Sequence, residues 1–396
     1  MVNNKKTSRN LAFAIVILLI IALVLVGVFL AIFFCKKHKE KFNSVTNNKK
    51  IFILYTGGTI GMVKSPVGYV PKSGFLEEKL NQLVRIHGKD VIGNYTIKEY
   101  SPLLDSSNIG PQDWNRIAQD IHKVYNQYDA FIIISGTDTM AYISSALSFM
   151  LENLSKTVVI TGSMISLQEP RNDGRNNLIT SLIIASHYTI PEVVLVFDNL
   201  IIRGCRATKV NANSVHGFAS PNYPPLGVAG VHIEMDWEKV RKPQGPFQLK
   251  PFDIRLKIAV IKLFPGIDST FIDSIVENNE IHGIVLETFG IGDAPTAKPF
   301  LNSLIKAKNK GIELVNVTQC LMGRVDERDY ETGVRLLQLG VYNGLDMTTE
   351  AAIAKLYYLL TWSKAREETK KLVSKNMRGG LVETMSTLYL QTGMFL

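Results

Sequence analysis

The stretch "ILYTGGTIGM", Ile53 to Met62, decides how the rest of the chain is read. An apolar run ends abruptly in Thr56-Gly57-Gly58-Thr59, so a buried strand is expected to stop at a turn where two hydroxyls meet the least obstructed backbone. Glycine lets the chain adopt a turn closed to other residues and lets the backbone approach a ligand closely. Amide N–H groups in such a turn can meet an anion or a developing oxyanion. A second stretch repeats the arrangement: "AFIII" runs into "SGTDTM", Ser135 to Met140.

Outward from these two, the chain alternates short β-rich runs ("TVVIT", "EVVLVF", "IAVIKLF", "HGIVLE", "GIELVNV") with helical patterns such as Ala141–Leu151 and Asn177–Ser186. Alternation of this kind predicts an α/β fold with mainly parallel sheets, because parallel neighbours need a crossover element. Sites in such sheets collect at the carboxyl ends of strands. The stretch Glu238 to Asp253, with three prolines and four lysine or arginine residues, marks a boundary. A larger domain is expected over residues 50–238, a linker over 239–254 and a smaller α/β domain over 255–396.

The net charge of +9 suggests nucleic acid until it is located. Nine of the 44 basic residues and one of the 35 acids lie in residues 1–50, so the remainder carries about +1. A near-neutral body has no basic face for nucleic acid. The basic ends (a tail, 1–10, and a tether, 35–49) flank Leu11 to Phe34, 24 residues without a charge. A helix of that length crosses a ~30 Å hydrocarbon core. The expectation is a single-pass membrane protein anchored through residues 11–34, with an overlong signal sequence as the alternative. Lys36, Lys37, Lys39 and Lys41 narrowly outweigh Lys5, Lys6 and Arg9, which places the catalytic part in the cytosol. Cys35, Cys205 and Cys320 give no disulfide framework and mildly favour a reducing compartment.

A threonine in a glycine turn is a nucleophile only where a base takes its proton. Lys209, in "RATKVNAN", can be that base if its surroundings adjust its pKa, and Asp138, beside Thr137, can orient the lysine. Thr–Lys–Asp would then follow the nucleophile, base and orienter logic of hydrolase triads. The plain alternatives are a tight turn and a solvated lysine. "GGTIG" lacks the Gly-Lys-Ser/Thr ending of a phosphate loop and the dinucleotide fingerprint. Seven histidines show no metal-ligand spacing, so neither a metal nor an organic cofactor is expected.

Taken together, "LYTGGTIGM", "GYVP" (Gly68 to Pro71), "DSSN" (Asp105 to Asn108), "SGTDTMAY" and "RATK" resemble, in order and spacing, the bacterial-type L-asparaginases. The resemblance covers residues 50 to about 380, through "FASPN", "VTQC", "DMTTEAA" and "NMRGG", and is closest to the type I branch. It implies hydrolysis of L-asparagine to L-aspartate and ammonia without a cofactor. It implies that Thr59 attacks the side-chain amide, helped by Tyr69 on a lid loop, while Thr137, Asp138 and Lys209 position or activate the water. Asp105 and Ser106 are implied to bind the substrate's α-ammonium and α-carboxylate, with Gly58 and Gly136 supplying backbone donors. Homodimers or tetramers are implied, with Asp293 near a neighbouring copy's site.

Several positions depart from the family pattern. Ser135 stands where histidine is common, Met164 and Ser166 where glutamine and proline are usual, and Asp293 where asparagine is typical. Thr208 and Cys320 match positions of a regulatory asparagine site, but Glu287 replaces the arginine expected to clamp its carboxylate. Weak or absent activation by asparagine is therefore expected. The competing readings are a mixed glutaminase–asparaginase, a tRNA-dependent amidotransferase subunit, and a catalytically silent amino-acid sensor. The near-neutral body speaks against tRNA, and joint retention of Thr59, Tyr69, Thr137, Asp138 and Lys209 speaks against silence.

Overall fold

The computed structural model describes residues 49–326 and 331–384. Eight strands form the large sheet: β1 (Lys50–Gly57), β2 (Asn94–Leu104), β3 (Ala130–Ile134), β4 (Thr157–Thr161), β5 (Val193–Phe197), β6 (Leu200–Arg203), β7 (Gly227–Ala229) and β8 (Ile233–Met235). Their order is β8-β7-β6-β5-β4-β3-β1-β2. The strands from β2 to β5 run parallel, and β6, β7 and β8 continue the sheet in antiparallel fashion.

The central strands are apolar on both faces because both faces are covered. Phe52, Leu54, Phe131, Ile133, Val158 and Ile160 point to one side, against α2 (Pro111–Val124) and α3 (Met140–Met150). Ile51, Ile53, Ile132, Ile134 and Val159 point to the other, against α1 (Phe75–His87) and α4 (Gly174–His187). Each fully buried Ile, Leu or Phe contributes roughly 1.5–3 kcal/mol relative to exposure. These two layers make the large sheet rigid, so the loops at its ends are held at fixed positions.

A second, all-parallel sheet has the order β9 (Lys257–Lys262), β10 (Ile281–Thr288), β11 (Glu313–Thr318), β12 (Tyr342–Asn343). Its Ile261, Ile284, Leu286 and Leu314 pack on α5 (Ser269–Glu277) and α6 (Lys298–Asn309). On its other face Val285, Val315 and Val317 join α8 (Thr349–Trp362) in the same apolar cluster as the large sheet's α2 and α3. The helix α7 (Glu331–Leu339) precedes β12. The segment between the sheets also packs: Gln248–Leu249 pairs with Leu151–Glu152, and the Phe252 ring stands edge-on to Trp114 at 6.4 Å.

The expected single-pass membrane placement is corrected here. Among the described residues no helix is long and apolar enough to cross a membrane. The longest, such as α4 and α8 at 14 residues, rise about 21 Å against a ~30 Å core. The run Leu11–Phe34, on which the expectation rested, lies outside the described residues.

Candidate active site

Three loops converge at the carboxyl ends of the adjacent strands β3, β1 and β2. The β1 turn holds Gly57 at φ +140° and Gly58 at φ +103°, where other residues are strained. There is no room for a side chain either: a Cβ on Gly57 would sit 2.1 Å from the Leu104 carbonyl oxygen, and one on Gly58 2.4 Å from the Gly136 nitrogen. A Cβ on Gly136 would in turn come 2.4 Å from Ser106 Oγ. The glycines thus let the turns after β1 and β3 and the loop after β2 close on one another.

Of the two threonines bracketing the first turn, Thr56 is spent on architecture, its hydroxyl donating to the Ile134 carbonyl at 3.1 Å. Thr59 opens a short 3-10 turn and is half-buried. Thr137 and Asp138 follow β3. Lys209 lies on the two-residue strand Thr208–Lys209, which pairs with Phe218–Ala219. Its Nζ donates to Thr137 Oγ1 at 3.0 Å and to Asp138 Oδ1 at 2.8 Å. The lysine is 21% exposed and the aspartate 62%, so the ammonium is reachable from solvent while its direction is fixed. Asp105 is exposed and accepts from the Ser107 N–H at 3.0 Å, and the buried Ser106 accepts at its carbonyl from Thr139 Oγ1 at 2.7 Å. The structure therefore brings Thr59, Thr137, Asp138, Lys209, Asp105, Ser106, Gly58 and Gly136 together at the carboxyl ends of β3, β1 and β2.

Tyr69 lies on the hairpin Met62–Ser65/Gly68–Pro71, and its hydroxyl donates to Glu169. That carboxylate raises the phenol's pKa, first through the hydrogen bond. Asp293 lies in the second sheet's region, on the loop after β10. Its backbone bridges Phe289, and its carboxylate accepts from Thr332 of α7.

Behind Lys209, Thr208 Oγ1 donates to Glu350 Oε1 at 2.8 Å, and Thr349 Oγ1 donates to Glu287 Oε1 at 2.6 Å. Burial, and then the nearby Glu287, raise the Glu350 pKa. Burial and the same two acids push the Tyr142 phenol up to about 12. Cys320 is exposed on the loop after β11. Ser135 is buried, and its hydroxyl has no hydrogen-bond partner among the described residues.

Sequence reasoning did not find Glu169, the partner of Tyr69, or Asp173, whose two carboxylate oxygens accept from the Met164 and Ile165 N–H groups at 2.9 Å. Glu350 stood inside the quoted "DMTTEAA", but nothing local tied it to Thr208. A glutamate one hundred positions from its tyrosine carries no spacing signal.

The model of the asparaginase N-terminal domain matches residues 50–241, and that of the glutaminase/asparaginase C-terminal domain matches 257–373. The chain belongs to the asparaginase family. It is 44% identical over 334 residues to L-asparaginase 1 of Escherichia coli (strain K12), covering 84% of this chain and 98% of that protein. The crystal structure of L-asparaginase I from Vibrio cholerae O1 biovar eltor str. N16961 matches with a TM-score of 0.78 at 44% identity, over 85% of this chain and 99% of that one. The thermostable L-asparaginase from Thermococcus kodakarensis matches with a TM-score of 0.76 at 33% identity, over 85% and 100%. The resemblance to the type I branch is borne out by these relatives.

Proposed function

We propose that this asparaginase-family chain hydrolyses the side-chain amide of L-asparagine to L-aspartate and ammonia. The observation that carries the reading is the Lys209 ammonium held between Thr137 and Asp138, one strand away from the glycine turn that presents Thr59. In this reading Thr59 Oγ bonds to the amide carbon, the carbonyl pair moves onto oxygen, and N–H groups of the glycine turns meet the oxyanion. Loss of one such donor costs roughly 2.7–4 kcal/mol in comparable sites. The Thr59 hydroxyl proton passes to the amide nitrogen, so collapse breaks the C–N bond, expels ammonia and leaves an ester on Thr59. Water oriented by Thr137 and Lys209 then adds to the ester carbon, the bond to Thr59 Oγ breaks as that oxygen regains a proton from the water, and aspartate leaves. Tyr69 accepts the hydrogen bond of the attacking hydroxyl, Asp105 meets the α-ammonium and Ser106 the α-carboxylate.

The active assembly in this reading is a homodimer or tetramer, with Asp293 offered to a neighbouring copy. The regulatory position in this reading is Thr208 with Cys320, and the acids beside Thr208, Glu350 that accepts its hydroxyl and the neighbouring Glu287, would repel an effector's carboxylate. Saturation by asparagine is therefore hyperbolic. A sigmoidal curve that disappears on Cys320→Ala would overturn this.

The deciding experiment is ammonia release by the purified full chain, with asparagine and glutamine varied separately. Saturable release from asparagine is expected, and its absence from a folded protein sinks the proposal. The second matched domain is described for both amides, so preference for glutamine would establish the mixed reading and direct attention to Met164 and Asp293.

A further inference from the structure

The hairpin that carries Tyr69 is an exposed flap: Val67 at its tip is 89% exposed and Tyr69 44%. An unsupported side chain there would sample many orientations, and ordering it would oppose any role over Thr59. The flap is instead fastened along its length to one loop, residues 164–172. The Leu167 N–H donates to the Ile60 carbonyl at 3.2 Å, Ser166 Oγ to the Met62 carbonyl at 2.5 Å, and the Lys64 N–H to Gln168 Oε1 at 2.5 Å. The usual proline at position 166 has no hydroxyl to make the second of these bonds. The fourth fastening is Tyr69 on Glu169.

That loop is itself rigid. Asp173 holds the N–H groups of Met164 and Ile165, Ser166 Oγ accepts from the Gln168 N–H at 3.0 Å, and Asn172 Nδ2 donates to the Glu169 carbonyl at 2.7 Å. Asp173 in turn precedes α4, which is packed on the large sheet. Glu169 is therefore a carboxylate on a preorganised support, and Tyr69 is the exposed side chain that it orients.

We propose that Glu169 is a positioning residue for Tyr69, fixing the phenol so that its oxygen accepts from Thr59 while its own hydrogen is committed to the carboxylate. A phenol has a single O–H to donate. With that hydrogen on Glu169, only the lone pairs face other groups, and acceptance is the role a base-assisting group needs at the attacking hydroxyl. The raised phenol pKa agrees with a protonated donor at neutral pH. The support comes from the same chain, so the orientation of Tyr69 needs no neighbouring copy. This inference rests on the roles of Thr59 and Tyr69 given under Proposed function.

The test measures asparagine hydrolysis and melting temperature for the full chain and for Glu169→Ala, Glu169→Gln, Tyr69→Phe and the Tyr69→Phe/Glu169→Ala double variant. Hydrogen bonds to a charged group are of a size that predicts a loss in kcat of about 10- to 100-fold for Glu169→Ala, with KM changed less than about threefold. Glutamine still offers an accepting oxygen and should recover most of that loss. On the Tyr69→Phe background Glu169→Ala should cost nothing further, within about twofold. An equal loss on both backgrounds, or an active parent indifferent to Glu169→Ala, overturns this inference alone. A folded parent without asparagine hydrolysis overturns the reading of the site and this inference with it.

Discussion

Two cations three residues apart, Arg206 and Lys209, have opposite fates. Arg206 is 1% exposed and pairs with the fully buried Asp346 at 2.7 Å. It also donates to the Gly379 carbonyl at 2.7 Å, while Asp346 accepts from the Val382 N–H at 2.7 Å. This charge ties the segment before the Thr208–Lys209 strand to the chain after α8. Lys209 has the same kind of partner, but its aspartate is mostly in solvent. Burial makes the first pair structural and exposure leaves the second free to act. A buried pair broken on one side costs about 3–5 kcal/mol, because the surviving charge is stranded, whereas an exposed pair contributes about 0–1 kcal/mol.

The comparison is broken most directly at the exposed pair. Thr59→Ala or Lys209→Met should lower turnover by about 10³-fold or more, with stability within about 1 kcal/mol of the parent. Ammonia release and a melting curve on the same sample check this, and a variant that melts early would mean Lys209 is structural after all. At the buried pair the expectation reverses in kind: Asp346→Ala should cost about 3–5 kcal/mol in denaturant unfolding, and what remains folded should still turn over.

A third cation sharpens the contrast. Lys355, on α8, is 2% exposed, and its ammonium donates to the Lys375 carbonyl at 2.5 Å rather than to an acid. Burial lowers its pKa from 10.5 to about 7. Between those values the unfolded chain holds a proton that the folded chain has released, so this group adds stability as pH rises, by up to about 1.4 kcal/mol per unit. Below about pH 7 both states are protonated, and the cost of the buried charge is fully present. Unfolding at several pH values should show the parent gaining on Lys355→Met between about pH 7 and 10, and a constant difference would put the proton elsewhere. The smallest effect belongs to the exposed Cys320: Cys320→Ala should leave kcat within about twofold and the saturation curve hyperbolic, as read from initial rates.

Much of the fold was legible because buried parallel strands declare themselves as short β-rich runs, and the apolar run before Thr56, "AFIII" and "TVVIT" all stand as expected in β1, β3 and β4. The two glycine turns of the candidate site were legible as well, since each is contiguous with the strand that positions it. The antiparallel β6, β7 and β8 were not foreseen, being short and without strong patterning. The membrane expectation drew on the hydropathy of one run outside the described residues, and no described helix is long and apolar enough to support it.

By itself, the sequence determined which residue types sit at strand ends: the two threonine turns, the Asp105-Ser106 pair and Lys209 before its loop. These are local properties, set by propensity and by glycine's access to positive φ. Tertiary structure alone decided that β3, β1 and β2 are neighbours, so that Gly58, Gly136 and Ser106 touch. It also decided that Glu169 meets Tyr69 and Glu350 meets Thr208, and that Arg206 is buried while Lys209 is not. The physical reason is that each of these depends on strand order and packing across distant parts of the chain, where burial rather than residue type decides what a charge or a hydroxyl does.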